Sequence, residues 1–285
     1  MKEIRLPQAL VDQAHAFTDG SAEPAEPRNA ATVVLLRDGA SGPEVYLMRR
    51  QTSMAFAGGM AVFPGGGVDA RDFDDELIER GLWAGPSVSD WASRLGCDEP
   101  TARALVCAAV RETFEESGVL LAGSVDEVVA DTTGDEWEAD RVGLESRELS
   151  LTEFLTRRGL VLRTDLLGAW SGWLTPIFEP RRYRTWFFVA RLPAGQVTRD
   201  VSSESSSVHW TPAMGAVEEV EAATLMMLPP TYLTCLDVAQ YAQVNAVLAQ
   251  AGGRTVEMFM PEVTDVDGEF TLSRPPMYAD LLASR

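Results

Sequence analysis

Three carboxylates in Arg111-Glu-Thr-Phe-Glu-Glu-Ser-Gly118 are the residues of this sequence best placed to do chemistry. On a helix turning about 100° per residue, Glu112, Glu115 and Glu116 share an arc of roughly 100°. Val106, Cys107, Val110 and Phe114 fall on the opposite side. One face therefore reads as core and the other as concentrated negative charge. Like charges three and four residues apart destabilise a helix by about 0.2–0.5 kcal/mol per pair. These also lie toward the C-terminal end, where the helix dipole disfavours anions. A bound cation would reverse both penalties, and hard oxygen ligands select Mg²⁺, Mn²⁺ or Ca²⁺. A solvated acidic face on an acidic protein is the alternative reading.

A second segment bears on that choice. Gly58–Gly67 holds five glycines and one proline, and Phe63-Pro-Gly-Gly-Gly67 follows a short apolar run. Such a loop lets backbone approach a ligand or metal closely. Together, loop and helix resemble the Nudix box, G-x5-E-x7-R-E-U-x-E-E-x-G-U, with U a bulky aliphatic residue. Gly66 opens the box, and Arg111, Glu112, Glu115, Glu116, Gly118 and Val119 match its second half. Asp72 stands at the Glu of position seven, and Thr113 replaces the first U. Residues 73–110 make 38 positions where the box has 7, an insertion of 31. That resembles a Nudix branch with an insertion inside the box, which includes peroxisomal coenzyme A diphosphatases. Phe63–Asp69, Thr175-Pro176, Arg181–Ala190 and Leu228–Thr231 recur in that branch in the same order, so the resemblance spans roughly residues 30–235.

The resemblance implies an α/β (α+β) fold: an α/β/α sandwich around a mixed sheet, with a helical insertion and a C-terminal helical extension. It implies that Glu112, Glu115 and Glu116 bind Mg²⁺ or Mn²⁺ with help from the Gly65 carbonyl, and that Arg111 pairs with a carboxylate and holds the helix against the loop. A further acid is expected from a later loop. Glu204, just before the strand Val208–Trp210, is the candidate base, with Glu112 as the alternative. The implied reaction is attack of water on the diphosphate of a nucleoside diphosphate derivative, a small-molecule substrate arriving as its metal complex. Coenzyme A or acyl-CoA, ADP-ribose and nucleotide sugars all stay open. The coenzyme A signature is incomplete, with Gln51 where Ser or Ala is expected and Ala55 where Arg is expected. A catalytically silent Nudix-fold binding module is the alternative of another class.

Arg50 and Arg182, with Arg49, Arg181 and Arg184, are candidates to hold phosphates by bidentate contacts, against simple surface solvation. Gly66 is the matching backbone candidate. Trp170, Trp173 and Trp186 read as core before base-stacking platforms, His209 as structural, Met226-Met227 as core, and Cys107 as buried on the helix's apolar face.

The elements around these residues follow from pattern. Ala31–Arg37 and Glu44–Arg50 read as a hairpin across Gly39–Pro43. Asp98 caps a helix over Glu99–Ser117 that Gly118 ends. The segment 73–98 reads as two short helices, 126–148 as loop or mobile helix, Leu149–Arg158 as helix, Thr185–Leu192 and Ser207–Trp210 as strands, and Thr211–Ala223 and Thr231–Ala251 as helices, the second without breakers. The division is 1–28 as an extension with a short helix near Pro7–Phe17, 29–225 as the Nudix domain carrying the insertion, and 226–285 as a helix and strand extension packed on it. Asp265–Gly268 is a fragment of a calcium loop and reads better as a hairpin turn.

Composition sets the outer limits. The chain has 285 residues, 46% of them apolar, with 24 basic against 43 acidic residues and a formal charge of −19. That balance argues against nucleic acid and against an anionic membrane. Three scattered cysteines exclude a disulfide scaffold or a zinc site and fit a reducing, cytoplasmic setting. The first 20 residues hold no apolar stretch of signal length. A homodimer is compatible with everything above.

Overall fold

The structure is a computed structural model that describes residues 8–18, 20–52, 57–203, 205–266 and 269–285. Its centre is a mixed sheet. The strand order is Ser205–Pro212, Gly42–Arg50, Arg28–Gly39, Tyr183–Arg191, Leu167–Leu174, Met258–Phe259. Arg28–Gly39 runs parallel to Tyr183–Arg191, and Met258–Phe259 parallel to Leu167–Leu174; the other pairings are antiparallel. Two short strands join at the site end. Ala61–Val62 pairs with Met48 and Arg49, and Gly65–Gly67 pairs with Ala30, Ala31 and Thr32.

Alternation along the strands builds two cores. Val33, Leu35, Tyr46, Met48, Trp186 and Phe188 face one side, and Val34, Leu36, Val45, Leu47, Phe187 and Val189 face the other. The first core is closed by Val88–Leu95, Glu99–Ser117, Asp135–Glu145 and Leu151–Arg158, and the second by Ala213–Glu221, Pro229–Val238 and Val244–Ala251. This is the α/β/α sandwich expected.

The carboxylate helix starts and stops on the residues expected. Asp98 accepts the Thr101 N–H at 2.7 Å, Pro100 lies in the first turn, and Gly118 closes the helix at φ +72°. The inserted segment is only partly helical. After a 3-10 turn at Ala70–Phe73 come the helix Glu76–Glu79, the short strand Trp83–Ala84 and the helix Val88–Leu95. Trp83–Ala84 pairs with Val161–Arg163, which also pairs with Ala122–Gly123. Trp91 is fully buried against Phe188, and Leu95 gives its carbonyl to the Trp186 indole N–H at 2.9 Å.

Several expectations need correcting. Thr231–Ala251 is two helices, Pro229–Val238 and Val244–Ala251. No Gly or Pro breaks it. A tertiary contact does, for the Val244 N–H is taken by Asp38 Oδ1 at 2.8 Å and Tyr241 packs edge-on to Trp170. The segment 126–148 contains a defined helix, Asp135–Glu145. The strand Leu167–Leu174 went unread because its two glycines and a serine carry little strand propensity; burial of seven of its eight residues makes it a strand. Trp170, Trp173 and Trp186 are core residues, Met227 is buried, and Met226 is exposed instead of packed. The turn of the C-terminal hairpin, Asp267 and Gly268, lies outside the described residues, and its arms Val263–Val266 and Glu269–Leu272 pair. No helix among the described residues is long and apolar enough to cross a membrane.

Candidate active site

Arg111 is the hub of the site. Its guanidinium meets Asp72 side-on, Nε to Oδ1 at 3.0 Å and Nη2 to Oδ2 at 2.9 Å. Nη2 also donates to the Gly67 carbonyl at 3.1 Å. Nη1 donates to Glu112 Oε1 at 2.7 Å and to Glu115 at 3.2 and 3.3 Å. Asp72 is placed by a local device: the Asp69 N–H donates to its Oδ2 at 2.8 Å, within a capping box at the start of the 3-10 turn. The bidentate pair therefore joins two halves of a motif separated by 39 positions. Arg103 closes the same seam, donating to the Phe73 carbonyl at 2.8 Å and pairing with Asp75.

The Gly loop meets the helix at two points. The Gly65 N–H donates to Glu116 Oε2 at 2.7 Å. A Cβ on Gly66 would stand 2.5–2.6 Å from the Glu112 carboxylate, and one on Gly65 would stand 2.4 Å from the Ala31 carbonyl. At Gly65 the clash is with backbone, so only glycine permits the approach; at Gly66 it is with a side chain.

Glu115 and Glu116 are 7% and 8% exposed, so they do not form a solvated face. Three carboxylates, Asp72, Glu112 and Glu115, surround one guanidinium, and Glu116 stands beside them against the Gly65 N–H. Burial pushes the Glu115 carboxyl up to about 7; Arg111 opposes the rise and the Glu112 charge adds to it. Those neighbours hold the Arg111 guanidinium charged against its own burial. A buried cluster with this excess of negative charge suits a divalent cation by its all-oxygen donor set. As they stand, the side chains point elsewhere: among the described residues no three His, Cys, Asp or Glu groups sit in metal-holding geometry. Glu112 and Glu115 turn to Arg111 and Glu116 turns to the loop, so ligation requires these side chains to swing. Gly65 meets the cluster through its N–H.

Tyr46 projects from the sheet toward the same region. Its hydroxyl donates to the Arg199 carbonyl at 3.0 Å, and burial, then the charges of Asp200 and Glu116, hold it protonated.

The other predicted residues scatter. Glu204 lies outside the described residues; its neighbour Ser205 pairs with Arg50 across the sheet. Arg50 is half-buried, and its backbone N–H donates to the Met60 carbonyl at 3.0 Å. Arg182 departs from the phosphate-binding expectation. It is buried, and its guanidinium donates to the Thr175 and Ala25 carbonyls at 3.2 and 3.0 Å and to Met260 Sδ at 3.4 Å. It ties the segments at Ala25, Thr175 and Met260 together. Arg49 donates to the Gly59 carbonyl at 3.2 Å and Arg184 to Asn29 Oδ1 at 3.4 Å. His209 sits mid-strand opposite Leu47, and Cys107 is buried. Asp72, Arg141 and Arg199 were not singled out as site residues. Only Asp72 carried a signal, its place at box position seven.

Comparison with known proteins agrees with this geometry. The sequence profile of the NUDT19 Nudix domain matches residues 27–236. The acyl-coenzyme A diphosphatase NUDT19 of Xenopus laevis is 25% identical over 244 residues, covering 75% of this chain and 64% of that protein. Its Gallus gallus counterpart is 26% identical over 252 residues, covering 75% and 66%. The chain thus spans somewhat under two thirds of the length of these curated relatives. A crystal structure of a Nudix hydrolase from Alicyclobacillus acidocaldarius superposes with a TM-score of 0.67 at 27% identity, over 79% of this chain and 96% of that one. With its split motif closed by Arg111 and Asp72 and its profile matched over most of its length, this chain belongs to the NUDT19 Nudix domain family of Nudix hydrolases.

Proposed function

We propose that this chain is a divalent-metal-dependent diphosphatase acting on coenzyme A and its acyl derivatives. The single observation that carries the reading is the closed box, with Asp72, Arg111 and three clustered glutamates against a glycine loop despite the 31-residue insertion. The relatives' names supply the substrate class.

Glu112, Glu115 and Glu116 would hold Mg²⁺ or Mn²⁺ once their side chains turn from Arg111 and the loop, with the Gly65 backbone beside Glu116. Bound there, the metal neutralises phosphate oxygens and makes water more acidic. The remaining work belongs to the chain. Arg111, paired with Asp72 and the Gly67 carbonyl, holds the carboxylate helix against the glycine loop. Gly66, with no side chain, lets the Glu112 carboxylate lie against the loop backbone and is the backbone position assigned to the substrate. Arg50, at the end of its strand beside Ser205, is the side chain assigned to the substrate phosphates. Glu204 is assigned as the base, since Oε1 of the alternative, Glu112, is engaged by Arg111 at 2.7 Å. A carboxylate there accepts the proton of the attacking water as the anhydride bond breaks. The domain division 1–28, 29–225 and 226–285, a cytoplasmic site of action and a homodimer are retained in this proposal.

The test is product analysis. With Mg²⁺ or Mn²⁺, coenzyme A should yield 4′-phosphopantetheine and 3′,5′-ADP, resolved by mass. Turnover of ADP-ribose or a nucleotide sugar with no coenzyme A cleavage would keep the hydrolase and overturn the substrate.

A further inference from the structure

The helix Asp135–Glu145 lies across the C-terminal end of the carboxylate helix and ties it to the loop that follows Thr198. Arg141 is buried at their junction. Its Nη1 donates to the backbone carbonyl of Glu115 at 2.8 Å and to Glu145 Oε2 at 2.9 Å. Its Nε and Nη2 donate to Glu138 Oε1 at 3.0 and 2.7 Å. The other oxygen of Glu138 accepts from Arg199 Nη1 at 2.6 Å, and Arg199 Nη2 reaches the Thr132 carbonyl at 3.3 Å.

The backbone of Arg199 is held as firmly. Its N–H donates to the Ser117 carbonyl at 2.9 Å, and its own carbonyl accepts the Tyr46 hydroxyl at 3.0 Å. The guanidinium lies directly over Gly118, where a Cβ would fall 2.7 Å from Nε. Four residues on, Ser203 donates its hydroxyl to Glu145 Oε1 at 2.8 Å and gives its carbonyl to Gln51 Nε2 at 2.8 Å. One helix therefore grips both ends of the segment 199–203, with Glu138 at one end and Glu145 at the other, and Arg141 between them bound to both.

We propose that Arg141, Glu138 and Arg199 form a positioning relay for the reaction. The relay registers the segment 199–203, which carries Asp200 and precedes Glu204 in the sequence, against the Glu115–Glu116 end of the helix. Its catalytic consequence rests on the hydrolase reading above; the mechanical link does not. Two physical arguments favour a positioning role over plain packing. The residues are joined by directional hydrogen bonds and ion pairs, so the network contributes direction more than burial. Arg141 also bonds the carbonyl of Glu115 itself, so the loop is referenced to one of the proposed metal-binding residues. Two guanidinium groups at a helix C-terminus further offset the unfavourable field on Glu115 and Glu116.

Glu138→Ala tests the relay, because Glu138 is partly exposed and Arg141 keeps Glu145 and the Glu115 carbonyl. Three quantities are read on the full chain: amide exchange, Mn²⁺ affinity without substrate, and steady-state turnover of coenzyme A. Exchange at 199–203 should rise at least about tenfold while the helix amides stay protected. Turnover should fall roughly 10- to 100-fold, the scale of a misplacement near 1 Å, with KM and Mn²⁺ affinity little changed. Glu138→Gln, which keeps an acceptor of the same shape, should recover most of the loss. Unchanged protection of 199–203, or full turnover with a loosened loop, would overturn the proposal. Loss of Mn²⁺ affinity in step with turnover would also overturn it, since the helix and not the loop would then have moved. An inactive wild type would sink the hydrolase reading and the catalytic half of this one, and exchange alone would then judge the clamp.

Discussion

Asp72→Ala removes the acid that closes the split motif. Both of its contacts to Arg111 are charge-assisted and near ideal length, at 3.0 and 2.9 Å, and both partners are almost fully buried. Breaking a buried pair from one side costs about 3–5 kcal/mol when the survivor is left unpaired. Arg111 keeps Glu112, Glu115 and the Gly67 carbonyl, so the cost should sit lower, at roughly 2–4 kcal/mol. For a chain of this size each kcal/mol moves Tm by about 2–4 °C, so the melt should drop on the order of 5–12 °C. The assay is calorimetry in EDTA, which keeps metal out of the comparison. Asp75→Ala is the control. It breaks a pair with Arg103 that Asp75 makes from a 76% exposed side chain, and should move Tm by no more than about 2 °C. A drop under about 2 °C for Asp72→Ala, or equal drops for both variants, would refute the idea that the Asp72–Arg111 pair joins the two halves of the box.

Three further outcomes follow from the same geometry. Gly66→Ala places a methyl 2.5–2.6 Å from the Glu112 carboxylate, a flexible side chain that can yield, so turnover should fall at least tenfold while Tm in EDTA moves by less than a few degrees; full turnover would contradict the close approach. Val110→Asp puts an unpaired carboxylate into a fully buried core position, and should abolish cooperative unfolding by circular dichroism; a cooperative melt near the wild-type temperature would contradict the core assignment. At the other end of the molecule, hydrogen bonding from Arg285, aided by the Tyr232 hydroxyl, holds the Glu221 carboxyl down at about 2. A depressed carboxyl stabilises above its unfolded value and loses that contribution as pH falls from about 4.3 toward 2. The Tm gap between wild type and Glu221→Gln should be largest at pH 6, narrow below about 4.3 and close only near pH 2 and below; a gap that widens in acid would contradict the sign.

The functional helix was legible because its signals are local. A capping Asp98, a terminating Gly118 and three glutamates on one arc define element, ends and chemistry together. The hairpin and the strand Tyr183–Arg191 were legible from apolar runs at strand length. What stayed hidden depends on distant partners. Arg182 reads as a surface cation until Ala25, Thr175 and Met260 close around it. The break between Val238 and Val244 comes from Asp38, 206 positions away, and from no residue within it. The burial of Glu115 and Glu116 was equally unreadable, because the wheel shows which residues share a face but not what covers it. The insertion's strand at Trp83–Ala84 exists only as a partner of Val161–Arg163. In each case the missing information was long-range pairing.

The central claim is that the glutamates beside the glycine loop form a metal-dependent hydrolytic centre, and Glu116→Gln addresses it most directly. The amide can still accept the Gly65 N–H that Glu116 now accepts at 2.7 Å, so the metal-free fold should melt at the wild-type temperature or slightly above, with one like charge removed. As a metal donor it is far weaker than a carboxylate. The measurement is coenzyme A turnover with Mn²⁺, read beside Tm in EDTA. The account predicts an unchanged melt and a turnover loss of about 10²–10³-fold or more. Near-full turnover by Glu116→Gln would contradict it.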